Sequence, residues 1–226
     1  MTRIVIFANG ELPDLEKARA LIQPDDLIVC ADGGSHHALA LGLKPDAIIG
    51  DLDSIREEDR ATIEAAGVQL RPYPRDKNQT DLELALQYAL EQKPSAVVII
   101  GALGGRLDQA LGNIAMLSSP DLAHQNIRLD DGLEEAWFCR DRSEIEGRAG
   151  EVVSLIPWGA AVEGVSTEGL KWALRSETLY GDKTRGISNE MLGPVAGVQI
   201  RSGLLLIIHR RQTQGEIQES DAKKTP

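Results

Sequence analysis

An α/β N-terminal domain with a mostly parallel, Rossmann-like sheet, followed by an all-β sandwich, is the fold class that the sequence predicts. Three observations predict it. Short β-branched runs alternate with helical apolar spacing as far as about residue 125, as in a parallel layer covered by helices. One of these runs, residues 96–101 (AVVIIG), is almost continuously apolar, as a strand buried on both faces must be. Beyond it the helical period fades, and short strands punctuated by Gly, Asp, Ser and Pro take over. The expected boundaries are 1–125 for the α/β domain, 126–212 for the β-sandwich, and 213–226 for a polar tail without periodicity.

Residues 3–8 read as the first buried strand, closed by Asn9-Gly10, and Leu15, Ala18, Leu21 and Ile22 then recur at helical spacing. Residues 27–31 form a second strand that ends in Asp32-Gly33-Gly34. Ser35 is read as the N-cap of a short helix stopped by Gly42 in the left-handed region. Residues 47–50 make a third strand and run into Asp51-Leu52-Asp53-Ser54. Ser54 and Glu57 have capping-box spacing for a helix that ends near Gly67. Residues 68–73 resemble a fourth strand, broken by Pro72 and Pro74. Thr80 and Glu83 form a second capping box, opening a helix whose Leu82, Leu86, Ala89 and Leu90 share a face. After residues 96–101 comes Gly104-Gly105-Arg106-Leu107-Asp108, then a helix to about Ser118 with Leu111, Ile114, Ala115 and Met116 apolar. In the second domain, residues 127–129, 136–139, 151–156, 195–200 and 204–209 read as strands.

A formal net charge of −11 argues against nucleic acid as a partner, because phosphate backbones are bound by basic surfaces. An acidic chain that binds phosphates needs a local device: a metal, glycine-rich backbone or a placed arginine. Cys30 and Cys139, the only cysteines, are far apart and suit a reducing compartment, with neither a disulfide framework nor a zinc cluster. Residues 204–208, the longest apolar run near the C-terminus, are too few to span a bilayer, and Arg3 leads at once into a strand rather than a signal peptide. The expectation is a soluble, cytoplasmic protein. Aromatic residues make up only 4%, so each tryptophan needs an account; Trp137 and Trp158 lie in strand-like contexts and read as core. His36 and His37 read as a solvated helix end, and His124 and His209 as structural.

The candidate chemistry gathers at strand ends. Asp51 and Asp53 are two apart, so in extended backbone both carboxylates leave one face, a place where Mg²⁺ can be held with water and phosphate oxygens completing its octahedron. Asn9, Asp32, Gly33, Gly34, Gly104, Gly105 and Arg106 follow other strands of the same domain. Ligands of open α/β sheets bind outside the carboxyl ends of the strands, so these residues share one rim. Glycine pairs let backbone amides approach phosphate oxygens, and Arg106 offers a fork of donors. Asp76, Asp81 and Asp108 bring further carboxylates to that rim, with Thr80 as the cap that positions Asp81. No Walker-A or dinucleotide fingerprint occurs, which leaves phosphoryl or nucleotidyl transfer by a less common family.

Taken in order, Ala31-Asp32-Gly33-Gly34, Gly50-Asp51-Leu52-Asp53-Ser54, Asp76-Lys77-Asn78-Gln79-Thr80-Asp81 and Gly101-Ala102-Leu103-Gly104-Gly105-Arg106-Leu107-Asp108 resemble the motif series of the thiamin pyrophosphokinase family. Thr167-Glu168-Gly169-Leu170-Lys171-Trp172-Ala173-Leu174 resembles its thiamin-binding segment, and Ile187-Ser188-Asn189-Glu190 its S-N turn. The resemblance implies transfer of pyrophosphate from ATP to thiamin with release of AMP, by a homodimer whose active site lies between the α/β domain of one subunit and the β domain of the other. It implies Asp51, Asp53 and Asp81 as Mg²⁺ ligands and catalytic groups, Asp108 as a further catalytic residue, and Asp76 and Asp108 as weaker metal or substrate contacts. Asn9, Asp32, Gly33, Gly34, Thr80, Gly104, Gly105 and Arg106 would surround the nucleotide, and Trp172, Ser188 and Asn189 the thiamin. Two positions depart from the family pattern: Asn78 stands where many members carry Asp, and Gln109 where bacterial members carry His. A pyrophosphokinase for another alcohol, such as a pterin, and a non-catalytic thiamin- or nucleotide-binding regulator are the alternatives.

Overall fold

The structure is a computed structural model that describes residues 2–212; the expected tail at 213–226 lies outside the described residues. The chain divides into two compact units, Met1–Gly132 and Leu133–Pro226. The first unit contains β1 (Arg3–Phe7), α1 (Leu15–Ala20), β2 (Leu27–Ala31), α2 (Ser35–Ala40), β3 (Ala47–Gly50) and α3 (Glu57–Ala65). It continues with β4 (Gln69–Pro72), α4 (Asp81–Glu91), β5 (Ala96–Ile100), α5 (Leu107–Leu117) and β6 (Ile127–Asp130).

Its strands run in the order β6-β5-β1-β2-β3-β4, and every pairing among them is parallel. The chain builds outward from β1 through β4, then returns to the other side of β1 with β5. Between β1 and β5 the direction of winding reverses, and in open sheets that switch point is where a crevice forms at the carboxyl ends. The apolar strands pack Val5, Phe7, Cys30, Ile48 and Ile100 into one buried cluster with Ile63 of α3. β6 belongs to this sheet, pairing Val97 with Ile127 and Ile99 with Leu129, so the boundary falls after it rather than at residue 125. A short apolar run has the same look in either domain, and only its pairing decides.

Two local expectations are corrected, and one helix differs in its packing. Ser35 is the first residue of α2, not its cap, because a 3₁₀ turn over Asp32–Gly34 leads into the helix. Ser54 caps nothing: α3 starts behind Arg56 without a side-chain cap, and the Ser54 amide is drawn to Asp32 instead. α5 has the expected bounds but keeps its apolar face open, with Leu107 73% exposed, Leu111 50% exposed and Leu117 its one buried residue. Thr80, by contrast, does cap α4, its hydroxyl accepting from the Glu83 amide at 3.2 Å.

The second unit is a sandwich. It comprises β7 (Glu134–Cys139), β8 (Arg142–Glu146), β9 (Val152–Pro157), β10 (Val162–Glu168), β11 (Glu177–Leu179), β12 (Asn189–Glu190), β13 (Val195–Gln199) and β14 (Leu205–Arg210). One antiparallel layer runs β12-β9-β14-β7 and the other β11-β10-β13-β8. Buried residues alternate along β9 and β13, and the core gathers Leu155, Val165, Leu179, Val198, Leu205 and Ile207. Trp137 belongs to that core, its indole N–H donating to Ser143 Oγ at 2.8 Å, and Trp158 packs edge-on to Phe138. His209 is fully buried between two carboxylates, with Nδ1 3.0 Å from Glu135 Oε1 and Nε2 2.9 Å from Glu151 Oε2.

Candidate active site

A cleft of about 660 Å³ opens at the carboxyl ends of β1 and β5, where the winding reverses. Its floor is backbone. A Cβ on Gly10 would lie 2.4 Å from the Gly101 carbonyl oxygen, and one on Gly104 would lie 2.4 Å from that of Glu11, so the two loops meet with no side chain between them. Gly105 holds φ +87°, a conformation that favours glycine. Asn9, Asp32, Thr80, Asp81, Gly104, Gly105 and Arg106 line the cleft.

Gly33 and Gly34 are buried beneath it. A Cβ on Gly34 would strike the Phe7 carbonyl oxygen at 2.1 Å, and one on Gly33 the Asn9 amide at 2.6 Å, so these glycines let the 3₁₀ turn press onto the end of β1. That pressing turns Asp32 to φ +45° and aims its carboxylate inward, 4% exposed. Asp32 Oδ2 accepts from the Ser54 amide at 3.2 Å, while Oδ1 is buried without a hydrogen-bond donor. Burial, reinforced by the charges of Asp81 and Asp51, holds the Asp32 carboxyl above the usual range, with the Ser54 bond opposing.

Asp32, Asp51 and Asp53 each offer a carboxylate oxygen within 4.8 Å of the others. Asp51 Oδ1 accepts from the Asp53 amide at 3.3 Å, and Asp53 accepts from the Ser54 hydroxyl at 3.0 Å. Asp81 is outside this close triad. It faces Gly50, where a Cβ would lie 2.9 Å from its Oδ1, and Lys77 Nζ is 2.9 Å from the same oxygen. Apart from that ammonium, Asp81 Oδ1 has no partner. One buried Asp32 oxygen without a donor, an Asp81 oxygen that faces only an ammonium, and an all-oxygen donor set fit a hard divalent cation such as Mg²⁺.

Arg106 and Asp108 form a two-pronged pair at the start of α5, with Nε to Oδ1 at 3.1 Å and Nη2 to Oδ2 at 2.6 Å. The pair raises the guanidinium's pKa and holds the carboxyl below its usual range. Asp76 is exposed on the loop before α4 and does not line the cleft; Asn78 is exposed as well. Gln109 and Asn113, four apart on one face of α5, do line it, as does Glu11. Neither Asn113 nor Glu11 stands out in the sequence, although the i, i+4 spacing of Gln109 and Asn113 after the Gly-Gly-Arg is a usable signal. His37 is not solvated: it is 8% exposed and its Nε2 donates to the Gly10 carbonyl at 2.8 Å, pinning the cleft loop from behind. Burial lowers its pKa, with the Gly10 bond opposing.

In the second unit, Trp172 is 47% exposed beside the Leu170–Met191 bridge. Asn189 is buried, and its amide grips the Trp172 backbone twice, accepting from Trp172 N at 3.0 Å and donating to Trp172 O at 2.8 Å. Its side chain is therefore a brace for the tryptophan. Ser188, at φ +57°, donates its amide to Ser154 Oγ at 3.0 Å and keeps its side chain at the surface.

Comparison with known proteins agrees with both halves of this picture. Residues 18–129 match the family model for the thiamin pyrophosphokinase catalytic domain, and residues 142–205 match that for its vitamin B1 binding domain. The chain is 33% identical over 213 residues to thiamine pyrophosphokinase of Bacillus subtilis (strain 168), spanning 92% of this chain and 98% of that one. It is 30% identical over 206 residues to thiamine pyrophosphokinase 1 of Oryza sativa subsp. japonica, spanning 78% of this chain and 76% of the relative. The crystal structure of thiamine pyrophosphokinase from Bacillus subtilis superposes with a TM-score of 0.84 at 28% identity, covering 94% of this chain and all (100%) of that one. With its parallel α/β unit, its β-sandwich and these matches along both, the chain belongs to the thiamin pyrophosphokinase family.

Proposed function

We propose that the protein transfers a pyrophosphoryl group from ATP to the hydroxyethyl oxygen of thiamin, giving thiamin pyrophosphate and AMP. The observation that carries this reading is Asp32, which lines the glycine-floored switch-point cleft and meets Asp51 and Asp53 at its edge, in a chain whose other unit matches a vitamin B1 binding domain.

Each residue then has a task. Asp51, Asp53 and Asp32, with Asp81 beside them, would hold Mg²⁺, which when bound offsets the negative charge of the triphosphate. Gly104 and Gly105 present backbone amides to phosphate oxygens, and the N-terminus of α4 at Thr80 favours an anion there. Arg106, 74% exposed at its side chain, turns its fork from Asp108 to the phosphates as the nucleotide enters. Trp172 offers a π-face to the cationic thiazolium and the pyrimidine of thiamin, and Ser188 a hydroxyl. The thiamin oxygen attacks the β-phosphorus in line, the bond from that phosphorus to the α-phosphate oxygen breaks, and the hydroxyl proton is lost.

The same reading makes the protein a homodimer in the cytoplasm, with the β-sandwich of one copy serving the cleft of the other. Leu107 and Leu111, open beside Arg106, give that second copy an apolar surface to cover, and the exposed Trp172 and Leu192 give it one to bring. Among the described residues no helix is long and apolar enough to cross a membrane. Incubation with ATP, Mg²⁺ and thiamin, followed by separation of the nucleotides, tests the reaction: AMP and thiamin pyrophosphate in equal amounts are expected, and ADP in place of AMP overturns it.

A further inference from the structure

The exposed face of Trp172 already has a cation on it. Lys171 Nζ stands 4.7 Å from the centre of the indole ring, within the reach of a cation–π contact, and 2.7 Å from Glu190 Oε2. The backbone around this trio is fixed. Lys171 N donates to the Glu190 carbonyl at 2.9 Å, Asn189 holds Trp172 on both sides, and Glu190 N bonds to Asn189 Oδ1 at 2.9 Å. Only the long Lys171 side chain, half exposed, is free to swing away from the ring.

We propose that Lys171 is a built-in cation that occupies Trp172 until a positively charged ligand replaces it, with Glu190 as the counter-ion that both share. This rests on Trp172 being the thiamin platform. When thiamin arrives, its thiazolium takes the place of the ammonium over the indole, the lysine moves into solvent, and Glu190 stays neutralised throughout. The exchange swaps one cation for another, so binding changes the local charge little and responds weakly to salt. A neutral aromatic ligand would have to expel Lys171 without restoring a positive charge, and the pair thereby selects for charge as well as shape.

The test is binding of thiamin and of thiochrome, its neutral fused-ring derivative, to the intact protein and to Lys171→Met and Glu190→Gln, at low and high ionic strength. Removing the resident cation is expected to tighten thiamin about three- to tenfold, the scale of one partly exposed cation–π contact, and to make that binding fall with salt as Glu190 becomes an uncompensated attractor. Thiochrome should gain less, and Glu190→Gln should weaken thiamin. Unchanged or weaker thiamin binding in Lys171→Met, with the fold intact by circular dichroism, overturns the proposal. If the unaltered protein binds no thiamin, the platform reading itself fails, which is a separate result from equal binding by parent and variant.

Discussion

Gly50 and Asp32 stand so close at the mouths of neighbouring strands that a Cβ on Gly50 would lie 2.8 Å from the Asp32 Cβ and 2.9 Å from Asp81 Oδ1. The glycine is the spacer that lets Asp32 and Asp81 converge. Gly50→Ala is expected to cost about 1–3 kcal/mol by overpacking and to lower turnover more than stability warrants, since both displaced groups are carboxylates of the cleft. Denaturant melts together with kcat check this, and an alanine variant with full activity would show the carboxylates have room to spare.

Asp32→Asn should separate stability from activity. The Asp32 carboxyl is held above its ordinary range, so its ionised form disfavours the fold as pH rises through the folded value. In the absence of Mg²⁺ the asparagine variant therefore melts a few degrees higher at neutral pH, and the gap closes in acid, where both are uncharged. With substrates present, its Mg²⁺ requirement should rise about 10- to 100-fold, as for other perturbed ligand shells. Calorimetry across pH and Mg²⁺ titration of the rate measure the two effects.

Asn189→Ala removes both anchors of Trp172. A loss of about 1–3 kcal/mol is expected from the buried backbone groups left unpaired. Thiamin KM should rise while ATP KM holds, and the Trp172 fluorescence should shift. Equal rises in both KM values would mean damage beyond the tryptophan.

His37 gives a pH prediction. Its pKa is lowered by burial, so the neutral ring stabilises the fold above the ordinary imidazole range and that contribution is lost as pH falls through the folded value. His37→Gln keeps a donor for the Gly10 carbonyl without a titrating ring. Its melting temperature should fall less steeply with acid than that of the parent, as thermal melts over a pH series would record.

His209→Leu would leave Glu135 and Glu151 buried without the ring between them. Losing the two buried hydrogen bonds of that ring costs about 1–3 kcal/mol, with Arg211 still 3.2 Å from Glu135, and loosens the β unit first. Hydrogen exchange resolved by segment distinguishes that outcome from global unfolding.

Most of the fold is legible in the sequence because parallel strands buried on both sides must be apolar along their length, and β1, β2, β3 and β5 declare themselves so. What is not legible is competition for a donor. Ser54 has the spacing of a cap, but the Asp32 carboxylate takes its amide, a contact 22 residues apart that no local pattern carries. The same applies to His37, whose partner is on another loop, and to β6, whose sheet is chosen by pairing. In the site, the carboxylate rim is readable, but Asp32 as the buried member of the close triad is not. Asp32-Gly33-Gly34 looks like a phosphate loop, and only the packing of its glycines on Phe7 and Asn9 shows it turning the carboxylate inward.

The floor of the cleft, made where Gly10 meets Gly101 and Glu11 meets Gly104, has a consequence for how this site can change over generations. A surface without side chains cannot be retuned one substitution at a time, since any added carbon closes the passage between the loops. Under the proposed function, variation in nucleotide preference falls to the walls, where α5 offers the exposed Gln109 together with Asn113, whose amide also donates to the Ala102 carbonyl at 2.9 Å. A library confined to those two positions should yield altered nucleotide choice with the glycine floor intact, whereas one spread over the glycines should yield only unfolded or inert chains.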